Sequence, residues 1–327
     1  MKLAVLGGGS WGTALSIVLA PRFERIGLWA YEADLAERMA TSRENDVFLP
    51  GFKLPENIYP TAILGEALEG AQIVLGVVPS HHLRAVFTRA LPFLKGEMIF
   101  VSAAKGIETH SLLRMSQVLE EVVPGRVAVL SGPTFATEIA KGEPAAVVIS
   151  SKDRDLAERI QGVFSGRAFR LYTNTDPVGV EIGASLKNVI AIGAGICQGL
   201  GLGSNAVAAL ITRGLAEITR LATAMGGQPA TLAGLAGLGD LVLTCTGDLS
   251  RNRRLGMELA RGRKLEEILA STRMVAEGVQ TTYAAAELYG KHNVEMPITE
   301  QMYQVLRMGK DPRDALRELM ERALKRE

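Results

Sequence analysis

Residues 3–12 read L-A-V-L-G-G-G-S-W-G, from Leu3 to Gly12. Four apolar residues running into glycines and a small polar residue predict a buried strand that turns sharply into a helix. Gly7, Gly9 and Gly12 satisfy the spacing G-x-G-x-x-G. In that pattern the first glycine permits the tight turn, the second lets the backbone approach a pyrophosphate, and the third lets the helix pack on the strand. The anion would sit at the helix N-terminus, where free N–H groups and the dipole favour negative charge. The pattern alone is short enough to be a glycine-rich turn that binds nothing. Its context, a strand before it and a second strand about 20 residues later, points to a dinucleotide instead.

Outward from this turn, short runs rich in Val, Ile and Leu predict strands at residues 3–6, 25–30, 73–78, 98–103, 127–130 and 145–150. Between them, segments 34–39, 81–91, 111–122 and 155–164 carry helical periodicity. Nearly continuous apolar strands alternating with helices imply a mostly parallel sheet covered on both faces. After about residue 175 the alternation stops, and segments 177–199, 205–225, 250–261, 277–289, 298–308 and 311–325 all read as helices. In the last, Leu316, Leu319, Met320, Ala323 and Leu324 are expected on one apolar stripe. The expected fold is α/β, with a doubly wound, Rossmann-like dinucleotide-binding domain over residues 1–175 and an all-helical substrate and catalytic domain over residues 176–327.

The 327 residues, 47% hydrophobic and 22% charged with a formal net charge of +1, suit two ordinary globular domains. Nothing in that balance calls for a nucleic acid or an anionic membrane as partner. Two cysteines, Cys197 and Cys245, lie in no metal-ligand or C-x-x-C spacing, so they read as small buried hydrophobes and no metal site is expected. Glycines break the first apolar run, which argues against a signal peptide. The longest apolar stretch, 189–196, is far short of the roughly 20 residues that span a bilayer. A cytoplasmic protein without membrane insertion is expected, and a homodimer is left open.

Several polar residues stand out against this background. The second strand ends in Trp29, Ala30, Tyr31 and Glu32, where an adenosine ribose would lie. An acidic side chain there accepts from a ribose diol and repels a 2′-phosphate, and no Arg or Lys occurs between Leu28 and Glu37. Glu32 can equally be a first-turn acid of the next helix. The segment E-I-G-A-S-L-K-N-V-I-A-I places Lys187 and Asn188 in a nearly apolar helix. Burial disfavours a charged lysine, so Lys187 is a candidate acid/base rather than a snorkelling surface residue. Lys105 and Gly106, and the run Gly132, Pro133, Thr134, Phe135, Ala136, follow strands at their carboxyl ends, where such folds bind ligands. Further on, Asp240 follows glycines, while Ser250, Arg251 and Asn252 open a helix, with Ser250 a plausible N-cap and Arg251 placed for a phosphate.

At this level the chain resembles a known family. G-G-G-S-W-G-T-A, V-V-P-S-H, A-A-K-G-I-E, S-G-P-T-F-A-x-E, L-K-N-V-I-A-I, G-L-G-D-L-x-x-T-C and S-R-N-R-R-x-G, then A-E-G-V, occur in the order seen in bacterial NAD(P)-dependent glycerol-3-phosphate dehydrogenases. The resemblance covers essentially the whole chain. It implies a Rossmann domain joined to a helical domain, with a small phosphorylated triose or polyol bound between them. It further implies Lys187 as general acid/base and Lys105 as a second cation beside the reacting oxygen and the cofactor. Gly132, Thr134, Asn188, Asp240, Ser250, Arg251 and Asn252 would meet the substrate. Gly7, Gly9, Gly12, Ser10, Trp11, Tyr31, Glu32, Ala136, Arg251 and Glu277 would meet NAD(P). Family members often carry a basic or polar residue where this chain has Tyr31 and Glu32, so a preference for NAD is expected. The family association also suggests supply of glycerol 3-phosphate for phospholipid synthesis.

The chemistry holds together without the family. Hydride transfer is the cofactor's work, so the protein must orient a carbon, move one proton and stabilise an oxyanion. Two lysines supply the last two, and His81, His82, His110 and His292 suit the proton role less well. Two rivals remain: a ketopantoate-type or β-hydroxyacid reductase, whose substrate bears a carboxylate, and a nucleotide-sensing module that binds NAD(H) without turnover.

Overall fold

The computed structural model describes residues 1–271 and 277–324. The strands are β1 (Lys2–Leu6), β2 (Arg25–Trp29), β3 (Glu44–Asn45), β4 (Leu49–Lys53), β5 (Ile58–Thr61), β6 (Ile73–Gly76), β7 (Ile99–Ser102), β8 (Arg126–Ser131), β9 (Ala145–Ser150) and β10 (Phe169–Asn174). Eight of them form one sheet in the order β10-β9-β8-β7-β6-β1-β2-β5, parallel at every pairing but β8 with β9. Period-two alternation divides the apolar residues between two cores. Leu3, Val5, Ile99 and Val101 face one side with Leu15 and Phe164, while Ala4, Leu6 and Phe100 face the other with Phe87 and Leu119. Because the chain leaves β1 for β2 and β5 on one side and returns to β6 on the other, the crevice for a ligand opens beyond the carboxyl end of β1.

All six strands expected from apolar runs form. The reading passed over β5 and β10, each paired on one side only. Pro60 interrupts β5, which an edge strand tolerates, and β10 alternates buried Phe169 and Leu171 with exposed Arg170 and Tyr172. It also missed the antiparallel pair β3 and β4. The helix expected at 111–122 starts later, as Met115–Val122, because Leu112 takes a left-handed φ of 60° and Ile107 bridges Arg114.

Beyond β10 the described residues are helical. At the centre is helix Pro177–Gly199, capped where Asp176 accepts from the Gly179 N–H at 2.9 Å and entered through Pro177 at its first turn. Helices Ser204–Ala224, Asp240–Thr246, Arg251–Ala260 and Glu277–Lys291 pack around it. Contact with Arg251–Ala260 is main chain on main chain. A methyl on Gly195 would lie 1.9 Å from the Arg253 carbonyl oxygen, and one on Gly256 2.0 Å from that of Ile192. Judged as a whole helix rather than by its longest apolar run, Pro177–Gly199 is long and apolar enough to cross a membrane, but its apolar window is entirely buried within the protein. The stretch Pro229–Thr246 also meets that length and composition, with 44% of its window buried. Cys197 and Cys245 are both buried and unbridged.

The expected stripe at 311–325 is realised in part, with Leu319 partly buried against the helical core. The helix spans Pro312–Met320, Ala315 is its buried residue, and Met320 and Leu324 are exposed. Residue 325, like Ala276 of the A-E-G-V motif, lies outside the described residues.

Sheet and helices are tied together in part by one apolar contact and one buried ion pair. Val129 and Val148 pack on Val180 and Ala236. Arg114 and Ser116, at the start of helix Met115–Val122, converge on the buried Glu181 of the central helix. Its carboxylate accepts from the Ser116 N–H at 2.7 Å and hydroxyl at 2.6 Å, and from the Arg114 guanidinium.

Candidate active site

Three chain segments far apart in sequence meet at one carboxylate. Asp240 opens helix Asp240–Thr246 and is wholly buried. Its Oδ1 accepts from Lys187 Nζ at 2.5 Å, and its Oδ2 from Lys105 Nζ at 2.8 Å. Lys105 also donates to the Gly132 carbonyl at 2.9 Å and the Thr134 hydroxyl at 3.1 Å, so the loops after β7 and β8 are closed onto the helical part by one ammonium. Ile107, two residues on, is buried among Ile182, Leu186 and Leu241 and anchors the Lys105 loop there.

Lys187 is only 6% exposed. Burial is the main cause that pulls its ammonium down to about 8 from 10.5, and the Lys105 charge adds to it, while Asp240 pulls the other way. Its other partner is the Thr244 hydroxyl at 2.9 Å, which itself donates to the Asp240 carbonyl oxygen at 2.6 Å. The sequence reading did not single out Thr244. Its signal was available, since residues four apart on a helix share a face and Asp240 and Thr244 have that spacing in G-L-G-D-L-V-L-T. Two ammonium groups around one carboxylate leave a net positive charge of one, a setting that favours an anionic ligand or a developing oxyanion.

The dinucleotide turn forms at the carboxyl end of β1. Gly7 has φ +130°, and a Cβ there would lie 2.8 Å from the Val77 backbone; one on Gly12 would lie 1.8 Å from the Gly7 oxygen. Gly9 faces open space, with nothing within 4 Å of such an atom. Helix Ser10–Leu19 starts at this point with no side chain capping it, so its first N–H groups are free to meet an anion. The Trp11 indole N–H is buried without a partner. These features fit a dinucleotide pyrophosphate over Gly9, Ser10 and Trp11. Ala136 opens helix Ala136–Lys141, which packs against the same helix.

Glu32 is the exposed N-cap of helix Ala33–Ser42 and makes no side-chain cap bond, so its carboxylate is free of the helix that it opens. Tyr31 is 73% exposed, its ring edge-on to Trp29. Glu277 accepts from the Ser80 N–H, and loss of surrounding water raises its carboxyl to about 7 against the pull of Arg251. Ser250 accepts from the Arg253 N–H at 3.3 Å as the N-cap of helix Arg251–Ala260, and Arg251 follows with its side chain exposed. Asn188 and Asn252 are buried, and the Asn252 side-chain Oδ1 accepts from the Gly278 N–H at 3.1 Å. Lys105, Gly132, Thr134, Lys187 and Asp240 thus form one bonded network, which Ser250, Arg251 and Asn252 do not join through any direct hydrogen bond. His81 and His82 are exposed, their rings tilted against each other with centroids 4.0 Å apart, and neither hydrogen-bonds to the lysines.

Comparison with known proteins agrees along the whole chain. The family model described as NAD-dependent glycerol-3-phosphate dehydrogenase N-terminus matches residues 2–157, and that described as the C-terminus of the same enzyme matches 176–317. A glycerol-3-phosphate dehydrogenase [NAD(P)+] of Koribacter versatilis is 58% identical, over 98% of this chain and 97% of that protein. Another from Citrifermentans bemidjiense is 54% identical, over 100% and 98%. The crystal structure of glycerol-3-phosphate dehydrogenase from Coxiella burnetii superposes with a TM-score of 0.94 at 42% identity, covering 98% of this chain and 99% of that one.

Proposed function

Because the chain belongs to the NAD-dependent glycerol-3-phosphate dehydrogenase family, we propose that the lysine pair on Asp240 interconverts sn-glycerol 3-phosphate and dihydroxyacetone phosphate. The enzyme is an NAD(P)-dependent oxidoreductase. When bound, the nicotinamide supplies or accepts the hydride at C2 of the substrate.

The observation that carries the division of labour is a count of donors. An ammonium has three N–H groups. Lys105 spends all three, on Gly132, Thr134 and Asp240, whereas Lys187 spends two, on Asp240 and Thr244. Lys187 therefore holds one proton free for a substrate oxygen. In ketone reduction, negative charge grows on the C2 oxygen, and Lys187 protonates it; in alcohol oxidation the neutral amine takes that proton back. Lys105 lends its charge to the same oxygen and ties down the two loops beside it. Asp240 fixes both ammonium groups in place, and Thr244 orients the Lys187 amine. Arg251, Ser250 and Asn252, at the start of a helix, serve the phosphate, with Asn188, Gly132 and Thr134 completing the substrate's surroundings. Gly7, Gly9, Ser10, Trp11, Gly12, Tyr31, Glu32, Ala136 and Glu277 serve the cofactor, with Lys105 and Arg251 facing both ligands.

On this reading the protein works in the cytoplasm on a small phosphorylated polyol, prefers NAD through Glu32, and supplies glycerol 3-phosphate to phospholipid synthesis. The deciding experiment follows oxidation of NADH and of NADPH with and without dihydroxyacetone phosphate. Oxidation that starts on adding this ketone supports the assignment. Tight NADH binding with no ketone-dependent oxidation, or turnover of 2-keto acids instead, defeats it.

A further inference from the structure

Asn45 lies outside every motif considered above, yet it is a fully buried polar side chain with each hydrogen-bonding role in use. Its Nδ2 donates to the Gly8 carbonyl and to the Thr13 hydroxyl, both at 2.8 Å, and its Oδ1 accepts from the Phe48 N–H at 2.9 Å. The last bond settles which end of the amide faces Gly8. The residue is held firmly: it sits in the β3–β4 pair, just after Arg43 ends the preceding helix in a left-handed conformation, and Leu49 and Leu54 anchor the segment in the core.

Resting on the reading of Gly7 to Gly12 as a pyrophosphate cradle, we propose that Asn45 is a positioning residue for the cofactor, acting by aiming the Gly9 N–H. The peptide between Gly8 and Gly9 is planar and trans, so its C=O and N–H point in opposite directions. Fixing the Gly8 oxygen on Asn45, inside the protein, turns the Gly9 N–H outward. Gly9 is the N-cap of helix Ser10–Leu19, no side chain caps that end, and nothing lies within 4 Å of where its Cβ would be, so the backbone here can be approached closely. Three successive glycines have little preference of their own, and a rotated peptide would present an oxygen to the phosphates, repelling them. The bond to Thr13 locks the same amide to the first helical turn, so loop and helix dipole are aligned as one unit.

The test compares wild type with Asn45→Asp and Asn45→Ala, using NADH, ADP-ribose and adenosine as probes. Asn45→Asp keeps the shape and the Phe48 bond but sets an acceptor against the Gly8 oxygen. Both variants are expected to weaken ADP-ribose and to raise KM for NADH by about tenfold or more, the scale of one charge-assisted hydrogen bond. Adenosine affinity, KM for dihydroxyacetone phosphate and kcat at saturating NADH should stay within about threefold, below that scale. Equal loss for adenosine and ADP-ribose, or no loss for either, overturns the proposal. If the variants do not fold, the Gly9 amide resonance of wild type decides: it should shift with ADP-ribose and not with adenosine, and the absence of that shift overturns it. A wild type that binds ADP-ribose no better than adenosine would instead remove the cradle on which the proposal stands.

Discussion

Lys105 and Lys187 stand on opposite oxygens of one carboxylate, at 2.8 Å and 2.5 Å from Asp240, one lysine from the sheet and the other from the central helix. The two ammonium groups are thus joined by a shared counter-charge, which sets their separation and offsets their repulsion. The Lys105 charge makes the Lys187 proton easier to lose, while Asp240 opposes that loss.

The first prediction concerns pH. Lys187 must be charged to protonate a ketone and neutral to accept from an alcohol, and its ammonium lies at about 8. Reduction of dihydroxyacetone phosphate should fall as pH rises through about 8, and oxidation of glycerol 3-phosphate should rise over the same range. Stability follows the same sign: the unfolded lysine binds its proton up to 10.5, so this group adds stability as pH climbs from about 8 towards that value. Lys187→Met should cut kcat by about 10²–10⁴ with NADH binding intact. A variant within about threefold of wild type would move the proton donor elsewhere.

Arg251 gives the second. Arg251→Ala should raise KM for dihydroxyacetone phosphate strongly while leaving the poor turnover of unphosphorylated dihydroxyacetone nearly unchanged. NADH affinity, measured separately by fluorescence titration, distinguishes the phosphate role from cofactor contact. Equal loss on both ketones would show that this guanidinium does not read the phosphate.

Cofactor choice is the third. The carboxylate of Glu32, uncommitted to its own helix, should make kcat/KM with NADH equal to or greater than that with NADPH. Glu32→Arg should shift the ratio towards NADPH. A wild-type preference for NADPH of about tenfold or more would mean that a base from another loop reaches the 2′-phosphate.

Fourth, Glu181→Ala should destabilise the protein by about 3–5 kcal/mol, because it strands the buried Arg114 and unsatisfies the start of helix Met115–Val122. Urea titration monitored by far-ultraviolet circular dichroism reads this directly. A loss under about 1 kcal/mol, the level of an exposed pair, would mean that water reaches the junction.

What could be read in advance was what is local. The glycine turn, the six apolar strands and the Pro177–Gly199 helix announce themselves through near-neighbour patterning, and the buried Lys187 follows from its apolar flanks. The passed-over features depend on partners far along the chain. Asn45 looks like any loop asparagine until Gly8, 37 residues away, is beside it. Strand β10 carries only two inward apolar residues, and Pro60 masks β5. Conversely, Met320 and Leu324 form an apolar pattern that no tertiary surface meets, since periodicity shows which residues share a face and not whether anything covers it.

The interlocked glycines of helices Pro177–Gly199 and Arg251–Ala260 bear on substrate length. One helix carries Lys187, the proposed proton donor, and the other begins at Arg251, proposed to read the phosphate. With Gly195 against the Arg253 carbonyl and Gly256 against that of Ile192, no side chain lies between the helices at these two points to give way. On the proposed roles, the span from Lys187 to Arg251 would be gauged by backbone thickness, a caliper to which substrate length would answer. Gly256→Ala would open its jaws, and a homologue one carbon longer is the molecule with which to measure how far.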